Sequence, residues 1–222
     1  MKIQKLIYLA AFAAMYFIYL NINAQVVISV AQDKTGDFAT IQEALNSIPL
    51  DNQLTFVCIK NGRYNEKLYI ERSNVVLFGE DREKTIIEYA ELRRNWVAKH
   101  DTDYGSATIN INKNLHDIAF INLTVNNNYG NANYDHDHAF TIRSFENTTK
   151  IIIDNCSIIS EGGDALSLWS FNDGMYYHNN CYFEGYVDYV CPRGYCFIEN
   201  SSFFGHNLTA AIWQDGNYSE DL

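Results

Sequence analysis

At 222 residues the chain has the length of one domain, or most of one. Its 27 acidic against 16 basic side chains leave a formal charge of −11, a field that repels nucleic acid and other polyanions. Five cysteines, an odd number with no C-x-x-C spacing, exclude both a fully paired disulfide framework and a cysteine-bound zinc site.

Lys2 and Lys5 precede an uncharged, largely apolar run from Leu6 to Leu20, and Asn21-Ile22-Asn23-Ala24 ends in a small residue ahead of Gln25. That order predicts a secretory signal over residues 1–24 and a secreted, periplasmic or cell-surface protein. The competing reading is a retained anchor, but the run falls short of the roughly 20 residues a bilayer span needs. Cleavage removes two lysines and no acids and takes the charge from −11 to −13. The mature domain then covers residues 25–222.

Thr40-Ile41-Gln42-Glu43 has the capping-box pattern, with Ile41, Ala44, Leu45 and Ile48 on one helical face and Pro49 as the stop. A short amphipathic helix ahead of many strands suits the lid of a stacked repeat, whose first apolar layer otherwise meets water. Short β-rich runs follow: Phe56–Ile59, a turn at Asn61-Gly62, Leu68–Ile70, Val75–Gly79 and Thr85–Ile87.

From Ile118 a unit recurs: a strand, an Asn at a bend, a small residue, a second strand. The aligned asparagines are Asn122, Asn155, Asn180 and Asn200. Asn tolerates the left-handed bend, and stacked Asn side chains can bond to one another. The pattern predicts an all-β fold, a right-handed parallel β-helix with a short N-terminal capping helix; a β-sandwich is the competing architecture. The wider gap between Asn122 and Asn155 predicts an insertion over Asn126–His138, overhanging one face as binding loops often do.

In such a stack Cys156 and Cys181, each following a repeat Asn, are small buried fillers. Cys191 and Cys196 are near enough to bridge in an exported protein. The six Asn-x-Ser/Thr sites, at Asn122, Asn147, Asn155, Asn200, Asn207 and Asn217, read as repeat chemistry and not as glycan sites.

Asp164 and Asp188 stand at nearly matching points of the repeat, so stacking brings the two carboxylates together. A close pair resists a second negative charge and keeps one member protonated, which supplies an acid beside a nucleophile or base. Against this stands the reading of both as solvated turn acids. Asp135-His136-Asp137-His138 has metal-ligand residue types, but neighbours one apart cannot all face one ion on a strand, and no metal or other cofactor is expected. Most aromatics read as core ladders; Trp169 and Trp213 are the candidates for sugar platforms.

On these residues the chain resembles the pectinesterases of the parallel β-helix class, carbohydrate esterases that demethylate pectin, and within them a divergent bacterial branch. Gly62-Arg63-Tyr64-Asn65-Glu66 matches their G-x-Y-x-E, Gly163-Asp164-Ala165-Leu166 stands in the place of Q-D-T-L, and Asp188-Tyr189-Val190 in that of D-F-I-F-G. His138-Ala139-Phe140-Thr141-Ile142 occupies the place of Q-A-x-A-L, with His138 where a Gln helps stabilise the oxyanion. Gly163 replaces a second Gln, and Cys191-Pro192 ends the D-F-I-F-G segment differently. An L-G-R-P-W segment would lie beyond residue 222, so an incomplete C-terminus is expected.

The resemblance implies Asp188 as nucleophile on the methyl ester of galacturonate and Asp164 as acid and then base. It implies His138 at the oxyanion and Arg193 as a substitute for the missing cation, an ordinary loop histidine and a surface arginine being the alternatives. The implied partner is methyl-esterified homogalacturonan, acted on by a monomer with no nucleic acid and no membrane insertion after cleavage. The net charge favours neutral, methylated stretches. A polysaccharide lyase and a non-catalytic glycan-binding β-helix are the competing functions.

Overall fold

The computed structural model describes residues 25–214. The expected signal segment lies outside the described residues, as does Asn217. The strand runs form coils, and each coil holds three strands where the sequence pattern displays two. β1 (Val26–Val30) leads into α1 (Ile41–Asn46), and the first coil is β2 (Thr55–Ile59), β3 (Gly62–Asn65) and β4 (Leu68–Ile70). The next are β5 (Val75–Gly79), β6 (Thr85–Glu88) and β7 (Ile109–Ile111), then β8 (His116–Ile121), β9 (Thr124–Asn127) and β10 (Ile142–Ser144). β11 (Thr149–Asp154), β12 (Ser157–Ser160) and β13 (Leu166–Trp169) make the fourth; β14 (Met175–Asn179), β15 (Tyr182–Gly185) and β16 (Val190–Arg193) the fifth. β17 (Tyr195–Glu199) and β18 (Ser202–Gly205) begin a sixth.

Equivalent strands stack into three sheets: β1-β2-β5-β8-β11-β14-β17, β3-β6-β9-β12-β15-β18 and β4-β7-β10-β13-β16. Every pairing is parallel, from Val27↔Phe56 in the first sheet to Leu166↔Val190 in the third. Parallel order excludes the sandwich. Of the third-sheet strands Leu68–Ile70 is legible as a β-rich run and is β4, whereas β7 and β10, also three residues each, are too short to display an alternation.

The core is a set of columns in which one coil repeats the side chain of the last. In the third sheet Leu68, Ile109, Ile142, Leu166 and Val190 lie in register and are fully buried. Cys156 and Cys181 are buried fillers, as expected, and Phe183 stacks on Phe203 with ring centroids 5.3 Å apart.

α1 covers the first layer with Ile41, Ala44 and Leu45 buried, and Thr40 caps it through its hydroxyl and the Glu43 amide. Glu66 adds a second cap from the first coil, its carboxylate accepting from the amides of Ile41 (3.1 Å) and Gln42 (3.0 Å). An anion there satisfies two N–H groups that the helix itself leaves open. The Glu of the G-x-Y-x-E pattern is thus a structural tie.

At the bend between first and second sheets Asn122, Asn155, Asn180 and Asn200 all have positive φ, 50–58°. Asn155 donates to Asn122 Oδ1 (2.7 Å) and Asn180 to Asn155 Oδ1 (2.9 Å), while Asn200 reaches Asn179 instead. Three of the sequon asparagines, Asn122, Asn155 and Asn200, thus stand at this repeat bend.

Two insertions leave the stack before the third sheet, where the sequence pattern announced one. Asn126 and Asn127 still belong to β9; the loop proper starts at Asn128 and carries α3 (Tyr129–Asn133). The other insertion, 89–108, carries α2 (Arg93–Val97). The two are joined: the Arg93 amide donates to His138 O (2.9 Å), and Asn95 Nδ2 to the Tyr129 hydroxyl (2.8 Å). Arg94 pairs with both Asp135 and Asp137. Together they wall one side of the third sheet.

Candidate active site

The site rests on the third sheet and on the bends that feed it. Leu166 pairs with Val190, so Asp164 and Asp188, each two residues earlier, occupy the same point of adjacent coils. Neighbouring strands are about 4.8 Å apart, which sets the aspartates side by side. Both backbones are left-handed, with φ 56° at Asp164 and 46° at Asp188, a conformation short polar side chains enter most easily. Their amides are held by the next coil, Asp164 to Val187 O (3.1 Å) and Asp188 to Ala210 O (2.9 Å). They are not solvated turn acids: Asp188 is half-buried, and the side chain of Asp164 is 14% exposed.

Asp164, His138, Trp169 and Arg193 line one cavity of about 210 Å³ together with Arg93, Asp103, Phe140 and Arg143. Burial raises the carboxyl of Asp164 above the ordinary carboxylate range; the Cys191 thiol, His138, Arg193 and Arg143 pull it back. A carboxyl raised by the charge of the neighbouring aspartate was expected; burial, and not Asp188, raises it.

His138 Nε2 lies 3.6 Å from Asp164 Oδ2 and its Nδ1 2.6 Å from Asp137 Oδ1, so it belongs to the site. Arg193 is 9% exposed and its guanidinium lies 4.2 Å from the Trp169 ring centre, which overturns the surface-arginine reading. Trp213 lies outside that lining. It is half-exposed and joined to β16 by its amide, which donates to Val190 O (3.0 Å).

Gly163 has a packing reason: a Cβ there meets Val187 Cγ1 at 2.9 Å and Val187 O at 3.0 Å. A glutamine at this position needs Val187 to move. Cys191 and Cys196 are free thiols, so the local disulfide is not formed. Cys191 faces the aspartates instead, with Sγ 3.1 Å from Asp164 Oδ1 and 2.7 Å from Asp188 O.

In the Asp135–His138 segment His136 turns to Glu161 O (2.6 Å) and stacks on Tyr186, while the two aspartates face Arg94. Among the described residues no group of three or more His, Cys, Asp and Glu side chains is placed to hold a metal.

Sequence reasoning missed Arg143 and its partners. Arg143 is 5% exposed, bonded to Asp103 (2.8 Å), with Arg93 on the same carboxylate (3.2 Å). Burial pushes its guanidinium down to about 10 despite that pairing. Its guanidinium lies over the rings of Phe140 (4.2 Å), Trp169 (5.1 Å) and Phe145 (5.2 Å). The available signal was an arginine directly after the apolar run Ala139-Phe140-Thr141-Ile142; Asp103, in a loop with no repeat, carried none.

The pectinesterase family model matches residues 27–210. The chain belongs to the pectinesterase family. A pectinesterase of Petunia integrifolia is 31% identical over 183 residues, covering 80% of this chain and 44% of the relative. The pectin methylesterase of Erwinia chrysanthemi superposes with a TM-score of 0.69 at 21% identity, covering 88% of this chain and 62% of that one. A pectin methylesterase solved with a hexasaccharide gives a TM-score of 0.71 at 21% identity, covering 87% and 62%. The coils of this pectinesterase-family chain wind right-handed, as in those folds. The chain spans about half the length of the curated relatives it matches.

Proposed function

We propose that the protein hydrolyses galacturonate methyl esters in pectin, with Asp188 as nucleophile and Asp164 as acid and base. One observation carries the reading: two aspartates share a left-handed bend on adjacent coils, one of them buried at a cavity beside a histidine and three arginines. Family membership supports it, as does the hexasaccharide bound to a protein of the same fold.

An Asp188 oxygen attacks the ester carbonyl carbon and the C=O electron pair moves onto oxygen. Collapse breaks the bond to methoxide, which takes the proton of Asp164 and leaves as methanol. Asp164, now a carboxylate, removes a proton from water as the water oxygen bonds to the acyl carbon. Asp188 departs ionised and Asp164 is protonated again. A carboxyl raised by burial suits the first role, because it still holds a proton where an exposed one has lost it.

His138 stands where the family has its oxyanion glutamine, with Nε2 3.6 Å from Asp164, and Arg193 is the cation beside the acids. Trp169 and Trp213 offer ring faces to the sugar. With this reading go export after signal cleavage and action as a monomer on methylated homogalacturonan.

The test is methanol release from methylated pectin by the full-length protein. Methanol without chain cleavage, lost in Asp188→Asn, is the expected result. An unsaturated, ultraviolet-absorbing product makes the protein a lyase instead, and saccharide binding without methanol makes it a binding module.

A further inference from the structure

His138 lies between two carboxylates that do different things to it. Asp137 Oδ1 accepts from both the His138 amide (2.7 Å) and Nδ1 (2.6 Å), and Arg94 of α2 pairs with the other oxygen, Oδ2, at 3.2 Å. An ionised carboxylate only accepts hydrogen bonds, so Nδ1 carries the proton. The His138 bond is the first cause holding the Asp137 carboxyl low.

With Nδ1 protonated, the neutral ring turns a bare Nε2 towards Asp164 Oδ2, 3.6 Å away. A neutral ring in that tautomer cannot donate to an oxyanion as a glutamine amide does. It can accept a proton. The separation is that of an ion pair and exceeds a hydrogen bond, and catalytic contacts of this kind commonly tighten once substrate is bound.

We propose that His138 and Asp164 hold the general-acid proton jointly, and that Asp137 is the positioning residue that makes this possible by fixing the His138 tautomer. The inference rests on the esterase reading above. In acylation the shared proton leaves the pair for methoxide as its bond to the acyl carbon breaks, leaving neutral His138 and ionised Asp164. In deacylation the pair takes one proton from the attacking water while Asp188 departs.

The charged groups around the pair are disposed to keep its balance. Asp137 and, through it, Arg94 face the ring from the insertions. The Cys191 thiol and Arg193 from β16 and Arg143 from β10 act on Asp164, Asp188 stands beside it on the next coil, and Arg93 with Asp103 completes the cavity. The arginines favour the carboxylate form of Asp164 against the burial that raises it.

The test uses the full-length protein and two readouts. The first is the pH profile of kcat/KM for methanol release. His138→Gln leaves the proton on a carboxyl alone, so the alkaline limb moves to lower pH by about one unit or more. Asp137→Ala moves it the same way by less, and Asp137→Asn, which still accepts at Oδ1, moves it least. Unchanged limbs in both His138→Gln and Asp137→Ala overturn the proposal and make His138 a plain donor.

The second readout is imidazole nitrogen NMR, which needs no activity. Neutral His138 is expected in the Nδ1–H form, to lose that preference in Asp137→Ala, and to titrate differently in Asp164→Asn. A His138 titration indifferent to Asp164→Asn overturns the proposal. A wild-type protein that shows this coupling but releases no methanol at any pH sinks the esterase reading alone.

Discussion

In the fourth and fifth coils the bends before the second and third sheets each hold a left-handed residue, and the two bends carry opposite chemistry. At the bend between the first and second sheets stand Asn122, Asn155, Asn180 and Asn200; at the bend into the third stand Asp164 and Asp188, with nearly the same φ. An amide both donates and accepts, so each Asn can satisfy the next, and Asn155 does so on both sides. An ionised carboxylate only accepts, so stacked aspartates cannot satisfy each other, and Asp164 draws other side chains to it: the Cys191 thiol, His138, Arg193 and Arg143. One backbone shape thus serves as a seam where amides stack and as a reactive edge where acids stack.

The largest expected effect breaks the reactive edge alone. Asp188→Asn keeps a residue that accepts the bend, and methanol release should fall by about 10⁴-fold or more with the fold intact by circular dichroism. Asp164→Asn should lower it by about 10²–10⁴-fold. The same change also tests the electrostatics. The raised carboxyl of Asp164 stabilises the fold below its unfolded value and loses that contribution as pH rises through the folded one. Asp164→Asn should therefore unfold at higher denaturant than wild type at pH 7, with the gain gone at pH 3.

Next comes the support beneath the acids. Arg143→Met leaves Asp103 without its buried partner and should cost about 3–5 kcal/mol in chemical denaturation. A cost no greater than a surface pair's makes the Arg143–Asp103 bond incidental.

The seam side has its own acid sensitivity. His178 on β14 is fully buried, and burial lowers it to about 4 against the opposing pull of the Tyr177 backbone. A lowered value keeps full stability above the unfolded value near 6.5 and loses it as pH falls towards 4, by roughly 3 kcal/mol. His178→Leu should unfold with most of that loss removed.

The smallest effect exchanges the chemistry of the bends. Asn155→Asp still accepts from Asn180 but faces Asn122 Oδ1 with no donor, so it should cost about 1–2 kcal/mol and leave methanol release unchanged. Lost activity would tie the seam to the site.

The repeat was legible because one side chain recurs where the backbone needs it. Asn122 to Asn200 name the bend, and Cys156 and Cys181 name a buried column, so two sheets can be read from spacing alone. Leu68, Ile109, Ile142, Leu166 and Val190 form an equally regular column, yet strands of three or four residues interrupted by insertions hide it. The acids were legible through register; Arg143, Asp103 and the Asp137–His138 contact were not. Their partners lie 40, 10 and 1 residues away with no periodic relation.

By itself the sequence determined the coil, the helix that closes its end and the meeting of Asp164 with Asp188, because stacking turns a recurring local pattern into a contact. Only the tertiary structure decided what surrounds the pair. Two insertions join through Arg93, Arg94 and Asn95, bury an arginine and an acid beneath them, and turn His138 between Asp137 and Asp164. Loops obey no repeat, so what they bring together is settled by packing and charge pairing alone.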